Sequence, residues 1–175
     1  IWLPTTKGYF SPDNIKDVHA YGVELKADLN VALAKKCRLG LNGTFSWTPS
    51  INEGEPRTPA DQSVGKLLPY VPEYSSTLIG RLTWPKWQFL YKWCYYSERY
   101  TMSSNDISLT GKLPSYFMSN ITLEKGLSFK WADISLKGSI NNLFNEEYLS
   151  VLSRPMPGIN FEVFIGITPK WSVKK

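Results

Sequence analysis

The side chains best suited to chemistry in this sequence are aromatic, cationic and amide residues within polar, turn-rich stretches. The candidates are Tyr9, Phe10, Arg99, Tyr100, Asn105, Arg154 and Met156. Aromatic rings offer apolar contact area, and guanidinium groups pair with anions, so this set favours binding of a large, partly anionic chelate. The alternative is that the same residues serve loop packing and solubility, because exposed loops carry such side chains without binding anything.

A catalytic or metal site has little support. The chain contains one histidine, His19, and two cysteines, Cys37 and Cys94, which excludes an H-E-x-x-H zinc site and a Cys/His metal cluster. It has neither a G-x-S-x-G nucleophile motif nor a phosphate-binding loop. A Ser-His-Asp site would depend on His19, which falls on the apolar side of a predicted strand. We therefore predict no enzyme activity, no metal and no cofactor.

Alternating apolar and polar residues predict the elements that position these candidates. Residues 159–171 alternate most clearly, and a strand points successive side chains to opposite faces. The same pattern predicts six further strands, at residues 19–31, 38–47, 73–84, 87–96, 113–124 and 131–141. Each strand then has one apolar and one polar face. Mean hydropathy is -0.26 and no run of 18 apolar residues occurs, so a membrane helix is excluded while membrane strands remain possible.

The connections between these strands alternate in length. Short turns are predicted at residues 34–37, 85–86 and 125–128, and long polar connections at residues 5–16, 48–66, 98–112 and 142–157. Short turns at one rim and long loops at the other are the arrangement of membrane β-barrels. The apolar parity would then face lipid. Its predicted members are Tyr21, Val23, Leu25, Leu41, Phe45, Trp87, Phe89, Trp93, Phe117, Ile134, Leu136, Phe161, Val163, Ile165, Ile167 and Trp171.

Composition agrees with that arrangement and excludes other partners. Aromatic residues make up 14% of the chain, enough for the aromatic girdles of a membrane barrel. The net charge of +5 is dispersed without a basic run, so it indicates solvation and no nucleic-acid partner. Cys37 falls at a turn and Cys94 lies up a different strand, which predicts free thiols.

Several motifs resemble one family of proteins. Residues 140–148, Ile-Asn-Asn-Leu-Phe-Asn-Glu-Glu-Tyr, are similar to the N-L-F-x-x-x-Y signature near the end of TonB-dependent outer-membrane receptors. Tyr21-Gly-Val-Glu24 resembles the G-V-E strand opening of that family, and Pro69-Tyr-Val-Pro72 resembles its P-x-x-P strand start. The terminal alternating strand follows in the same order as in the family.

The resemblance implies active uptake of a scarce nutrient across the bacterial outer membrane. It implies a 22-stranded barrel around a plug, of which residues 1–171 would supply the last seven strands and a partial eighth, with residues 172–175 as a short tail. The first residues, Ile-Trp-Leu-Pro, are expected to end a strand already under way. The implied partners are the lipid bilayer, the missing strands and plug, the TonB complex through an absent N-terminus, and a nutrient chelate such as cobalamin, our first choice, or an iron chelate.

Two other classes of function remain open from the sequence. An outer-membrane barrel can anchor, adhere or hydrolyse rather than transport. A soluble β-sandwich binding module also alternates apolar and polar residues, with its apolar faces packed against each other. These alternatives differ in which face of the sheet is covered and in whether protein or lipid covers it.

Overall fold

The computed structural model describes residues 2–4, 9–12 and 17–171, and every regular element there is a β-strand. The strands are β1 (Trp2–Pro4), β2 (Phe10–Pro12), β3 (Val18–Ala20), β4 (Val23–Ala34), β5 (Cys37–Trp47), β6 (Ser50–Asn52), β7 (Tyr74–Trp84), β8 (Trp87–Tyr96), β9 (Arg99–Tyr100), β10 (Lys112–Leu113), β11 (Tyr116–Ser128), β12 (Ala132–Asn141), β13 (Leu149–Val151), β14 (Arg154–Pro155) and β15 (Asn160–Pro169). The predicted all-β class is confirmed. None of the described residues forms a helix able to cross a membrane.

The seven long strands form one antiparallel sheet in the order β15-β12-β11-β8-β7-β5-β4. Each long strand pairs with the next long strand along the chain, so the sheet is an up-and-down meander. The shorter strands form two-stranded ribbons, β1–β2, β3–β6, β9–β10 and β13–β14. Within the described residues the sheet is open, and β4 and β15 are its edges.

One face of this sheet is apolar from edge to edge. Residues paired across strands share a face, and the row Leu25, Phe45, Ser76, Tyr95 and Phe117 crosses five strands in register. The row through Lys125, Leu136 and Ile165 reaches the other edge. All predicted apolar-face residues within the seven strands lie on this side. They are Val23, Leu25, Leu41, Phe45, Trp87, Phe89, Trp93, Phe117, Ile134, Leu136, Phe161, Val163, Ile165 and Ile167.

The opposite face is mostly polar. One row joins Asp28, Asn42, Ile79, Lys92 and Asn120 across five strands, and the Asn42 amide donates to the Asp28 carboxylate. Hydroxyl and amide pairs continue toward β15. The hydroxyl oxygens of Thr122 and Ser139 lie 3.0 Å apart, and the Asn141 side-chain amide donates to the Asn160 side-chain oxygen at 3.0 Å. We call these two sides the apolar face and the polar face.

Neither face is covered by a second layer of the described chain. Apart from Pro49 and Pro69, Leu113 and Ala132 are the only buried apolar residues there, whereas Leu25 is 60% exposed and Val163 is 82% exposed. A β-sandwich would pack such a face against another sheet. The described residues contain no such sheet, so the apolar face needs a surrounding that is not water.

One predicted turn is wrong. Residues 125–128 were predicted to connect two strands, but β11 continues through Ser128 and the turn is at residues 129–131. Lys125 pairs with Trp87 on one side and Leu136 on the other, and Leu127 pairs with Ile134. Pairing with the neighbouring strand therefore outweighs the local turn signal of Gly126.

Several predicted boundaries also need correction. β1 pairs with β2 rather than extending the sheet, so the predicted partial eighth strand is not an edge of the described sheet. Leu113 belongs to β10 and not to β11. Trp171 lies beyond the end of β15 and is 86% exposed. Ile1 and the predicted tail, residues 172–175, lie outside the described residues.

The first predicted long strand is interrupted at Tyr21 and Gly22. β3 leaves the sheet there to pair with β6, while β4 continues in the sheet. Tyr21 therefore lies in the break, where its ring meets that of Trp47 edge-on at 5.8 Å. A Cβ atom at Gly22 would lie 1.9 Å from the Trp47 carbonyl oxygen, so only glycine lets the two backbones approach this closely.

We expect Gly22→Ala to destabilise the folded sheet by about 1–3 kcal/mol, because the new methyl group must displace backbone rather than a side chain. The matched control is Gly43→Ala, whose Cβ would meet only the Leu78 side chain at 4.0 Å. Urea unfolding of the full chain in lipid vesicles measures both. Equal stability of the two variants would contradict the close backbone approach at Gly22.

Candidate functional site

The long connections are joined to one another at their rim of the sheet. β3 and β6 bring residues 17–22 against residues 48–54, with His19 paired to Ile51. The imidazole Nδ1 of His19 lies 3.7 Å from the Glu53 carboxylate. The only histidine therefore contributes to a contact between loops, and no acid–base pair with a serine forms around it in the described structure.

The next contact joins residues 66–73 to residues 97–111. The Asn105 side chain accepts a hydrogen bond from the Leu67 amide and donates to the Leu67 carbonyl, both at 2.8 Å. The Tyr70 amide donates to the Tyr100 carbonyl at 2.7 Å. Asn105 has a φ of 53°, a left-handed conformation that asparagine tolerates. The side-chain amide of Asn105 forms the two hydrogen bonds that a paired backbone residue would form with Leu67. Asn105 therefore holds the two loops together and does not stand free at the surface.

Arg99 makes the third contact, between residues 97–115 and residues 142–157. Its Nη2 donates to the carbonyls of Leu149 at 3.1 Å and Pro114 at 3.4 Å. The guanidinium lies 4.9 Å from the centre of the Tyr116 ring. Arg99 is only 6% exposed, and its Nε makes no hydrogen bond among the described residues. Arg99 therefore holds two loops together, and its predicted role as a ligand contact stays a prediction.

Next to Arg99, three tyrosines form a cluster at the long-loop end of the polar face. The rings of Tyr116 and Tyr148 are stacked at 4.6 Å, and those of Tyr96 and Tyr116 are 5.4 Å apart. Tyr96 and Tyr116 share a polar-face row with Ser75. Burial raises the pKa of Tyr148, and a tyrosine phenol, which is protonated at neutral pH in any case, can donate a hydrogen bond. We call Tyr96, Tyr116 and Tyr148 the tyrosine cluster.

Two asparagines fold the connection that carries Tyr148. Asn142 is 1% exposed, and its side chain accepts from the Glu146 amide at 2.8 Å and donates to the carbonyls of Glu146 and Pro157. The Asn145 side chain accepts from the Ile159 amide at 2.9 Å. Both residues have positive φ, 51° and 52°. The N-L-F-x-x-x-Y motif therefore determines the conformation of this loop, and the loop places Tyr148 in the cluster.

The other predicted binding residues have different surroundings. Tyr9 is 56% exposed and Arg154 in β14 is exposed. Met156 is 38% exposed, and its sulfur accepts from the Ser150 hydroxyl at 3.0 Å. The main chain of Phe10 belongs to β2, while its side chain lies outside the description. These residues stay predictions as ligand contacts.

Tyr100 lies beside an ion pair at the same rim. The Lys112 ammonium lies 5.0 Å from the centre of the Tyr100 ring and pairs with Glu98. The hydrogen bond to Glu98 raises the pKa of Lys112. This pair is exposed and contributes little stability.

Sequence reasoning missed the tyrosine cluster. Tyr96 and Tyr116 fall on the polar parity of two predicted strands, and aromatic residues on a polar parity near long loops were the available signal. It also missed the apolar loop tip at Ile107 and Leu109, which are 84% and 102% exposed. Within the described residues, no group of three or more His, Cys, Asp or Glu could hold a metal ion.

The family of the chain follows from its sequence match and fold. Residues 2–143 match the family model described as TonB dependent receptor-like, beta-barrel. Because the match covers most of the chain, the chain belongs to this family, whose members are transport receptors rather than enzymes. No curated protein sequence matches the chain significantly.

Solved structures share its fold. The ferric citrate transporter FecA in the unliganded form is 14% identical with a TM-score of 0.64, over 75% of this chain and 21% of that chain. The siderophore receptor PiuA from Acinetobacter baumannii is 19% identical with a TM-score of 0.63, over 97% of this chain and 24% of that chain. BauA, the ferric preacinetobactin receptor from Acinetobacter baumannii, is 13% identical with a TM-score of 0.61, over 95% of this chain and 25% of that chain. The chain thus spans a quarter or less of each structure.

We expect Asn142→Ala to loosen residues 142–159 without changing assembly of the sheet. The substitution leaves the Glu146 amide and two carbonyls without partners, at a cost of about 1–3 kcal/mol. Limited proteolysis of the full chain should show faster cleavage between residues 146 and 157. Glu147→Ala, an exposed residue of the same loop, is the control. Equal cleavage rates for both variants would show that Asn142 does not hold the loop.

Proposed function

We propose that this chain forms part of the barrel wall of an outer-membrane receptor that binds a nutrient chelate and imports it. The apolar face would contact lipid, and the polar face would line the lumen. The observation that carries this proposal is the apolar face itself, which continues in register over seven strands with no covering layer in the described chain. In lipid all backbone groups must be paired internally, and a closed β-barrel satisfies that requirement.

Aromatic rings at both ends of the apolar face support a membrane position. Trp47 and Tyr74 are paired at the long-loop end, and the stacked Trp84 and Trp87 lie at the short-turn end, 6.2 Å apart. Tyr74 and Trp84 are the two ends of β7, an 11-residue strand. At about 3.3 Å per residue and a tilt of roughly 40°, their separation corresponds to roughly 25 Å of height. That height equals the apolar band of known membrane barrels.

The tyrosine cluster is the proposed base of the ligand site. It lies on the polar face next to the joined loops, which would be the lumen side, and Arg154 is exposed in one of those loops. Ferric chelates of small organic acids are large and partly anionic, and they suit aromatic surfaces with phenol donors and an exposed cation. We favour an iron chelate over cobalamin, because the relatives FecA, PiuA and BauA are named as receptors or transporters of iron compounds.

The remaining partners follow from the same proposal. The polar face would contact a plug supplied by another part of the protein, and energy for import would come through the TonB complex. An anchoring or adhesive barrel would use the same apolar face without needing the tyrosine cluster. The uptake experiment below separates these two functions.

Arginine on the apolar face should cost more in the middle of the membrane than near its rim. Leu41 lies between the aromatic rows, so Leu41→Arg should cost about 2–4 kcal/mol in lipid vesicles, whereas Ile134→Arg beside the short turn should cost about 0–1 kcal/mol. Thr44→Arg on the polar face is the control. Denaturant unfolding of the full chain gives these values. A larger cost at Ile134 than at Leu41 would contradict the membrane position.

Loss of loop anchors should weaken uptake but not assembly. Alanine at Tyr9, Tyr100 and Arg154 together, or at Tyr148 alone, should reduce uptake about tenfold, since a few anchors dominate binding. Radiolabelled ferric chelates and cobalamin, supplied separately to cells, identify the ligand class. Alanine at Lys35, Lys36 and Lys86, on the opposite rim, is the control. If only that control set abolishes uptake, the binding rim is misassigned.

A further inference from the structure

Lys125 is an exception on the apolar face. Among the described residues of the seven long strands, every other side chain on that face is uncharged, whereas Lys125 lies within β11 and pairs in register with Trp87 and Leu136. A charged side chain facing lipid is costly and is a candidate functional site wherever it occurs. The position of Lys125 therefore needs a physical reason.

The depth of Lys125 gives the first part of that reason. Trp84, Trp87 and Lys125 share one register row, and this row is the aromatic belt at the short-turn end. A lysine at the level of such a belt can extend its ammonium to the headgroups while its methylene chain stays in the apolar layer. Lys125 thus lies at the membrane interface and not at the membrane centre.

Its contacts give the second part. The Lys125 ammonium lies 4.4 Å from the centre of the Trp87 ring, and the Trp84 ring is stacked against Trp87 on a nearly parallel plane, 13° apart. An indole face attracts the cation but does not neutralise it. The acidic residues nearest in register, Glu124 of β11 itself and Asp133 of the neighbouring β12, belong to the polar face. The Lys125 charge therefore has no carboxylate partner on its own face in the described strands.

The adjoining turn adds a second cation. Pro85 and Lys86 connect Trp84 to Trp87, and Lys86 has a φ of 65°. The Lys86 carbonyl accepts a hydrogen bond from the Gly126 amide at 2.8 Å, which holds this turn against β11 next to Lys125. Two lysines and two stacked indoles are thus grouped at one point of the rim.

We propose that Lys125, Trp84, Trp87 and the Lys86 turn bind the headgroup of an anionic glycerophospholipid in the leaflet at the short-turn rim. This inference rests on the lipid-facing orientation of the proposed function. The lipid phosphate lies between the two ammonium groups, its glycerol and upper acyl chain lie against the indoles, and its tails follow Leu123 and Leu136 along the apolar face. Charge complementarity selects an anionic headgroup, because a zwitterionic lipid brings its own cation to a site that already holds two.

The test is native mass spectrometry of the full chain in detergent, titrated with phosphatidylglycerol or with phosphatidylcholine of the same acyl chains. The parent protein should retain phosphatidylglycerol preferentially. Lys125→Leu should reduce that retention about fivefold, Lys125→Arg should restore most of it, and both variants should retain phosphatidylcholine equally. Lys137→Leu, on the polar face of β12, is the matched control and should behave as the parent does.

Equal retention of the two lipids by the parent, or an unchanged preference in Lys125→Leu, would overturn the lipid site. Competition by free glycerol phosphate at the same concentration would overturn it as well, because the bound species would then be a phosphate rather than a lipid. Quenching of tryptophan fluorescence by brominated lipid separates the two levels of failure. Quenching without headgroup preference refutes this site alone, whereas absence of quenching refutes the lipid-facing orientation as well.

Discussion

The rest of the structure depends on one constraint, the pairing of backbone groups in a sheet whose apolar face is not covered by any of the described residues. An uncovered apolar face of this width is unstable in water, and unpaired backbone groups are costly in lipid. Continuous antiparallel pairing across seven strands satisfies the backbone groups between the edge strands β4 and β15, whereas the apolar face still needs a surrounding other than water. The register is strongly fixed as a consequence, because a slip of one residue would move every apolar side chain to the polar face.

That constraint leaves the connections at the ends of the strands as the segments whose side chains are not needed for the sheet. The short turns, Lys35-Lys36 and Pro85-Lys86, have room only to reverse the chain. The long connections lie outside the sheet, yet they do not lie independently of one another. β3 with β6, Asn105 with Leu67, and Arg99 with Leu149 join them in sequence. A loop surface built in this way presents one shaped rim next to the tyrosine cluster, and in the proposed function specificity would come from a few anchors on that rim.

The family motifs gain a physical meaning from these contacts. Gly22 is required because the Trp47 carbonyl occupies the space of a side chain. Asn142 and Asn145 are required because they combine left-handed backbone with amide groups that replace missing backbone partners. These residues shape the chain so that other residues reach the rim. Their roles are therefore compatible with many different ligands.

The sequence by itself determined the strand class, the two faces and the alternation of short and long connections, because side-chain parity is a local property of each strand. It also placed Leu25, Phe45 and Ile165 on one common face. Only the tertiary structure decided that Arg99 is buried, that Asn105 binds a distant loop, and that Lys125 lies within a strand beside Trp87. Those outcomes depend on register and contact between segments far apart in the chain, and no local pattern of residues specifies them.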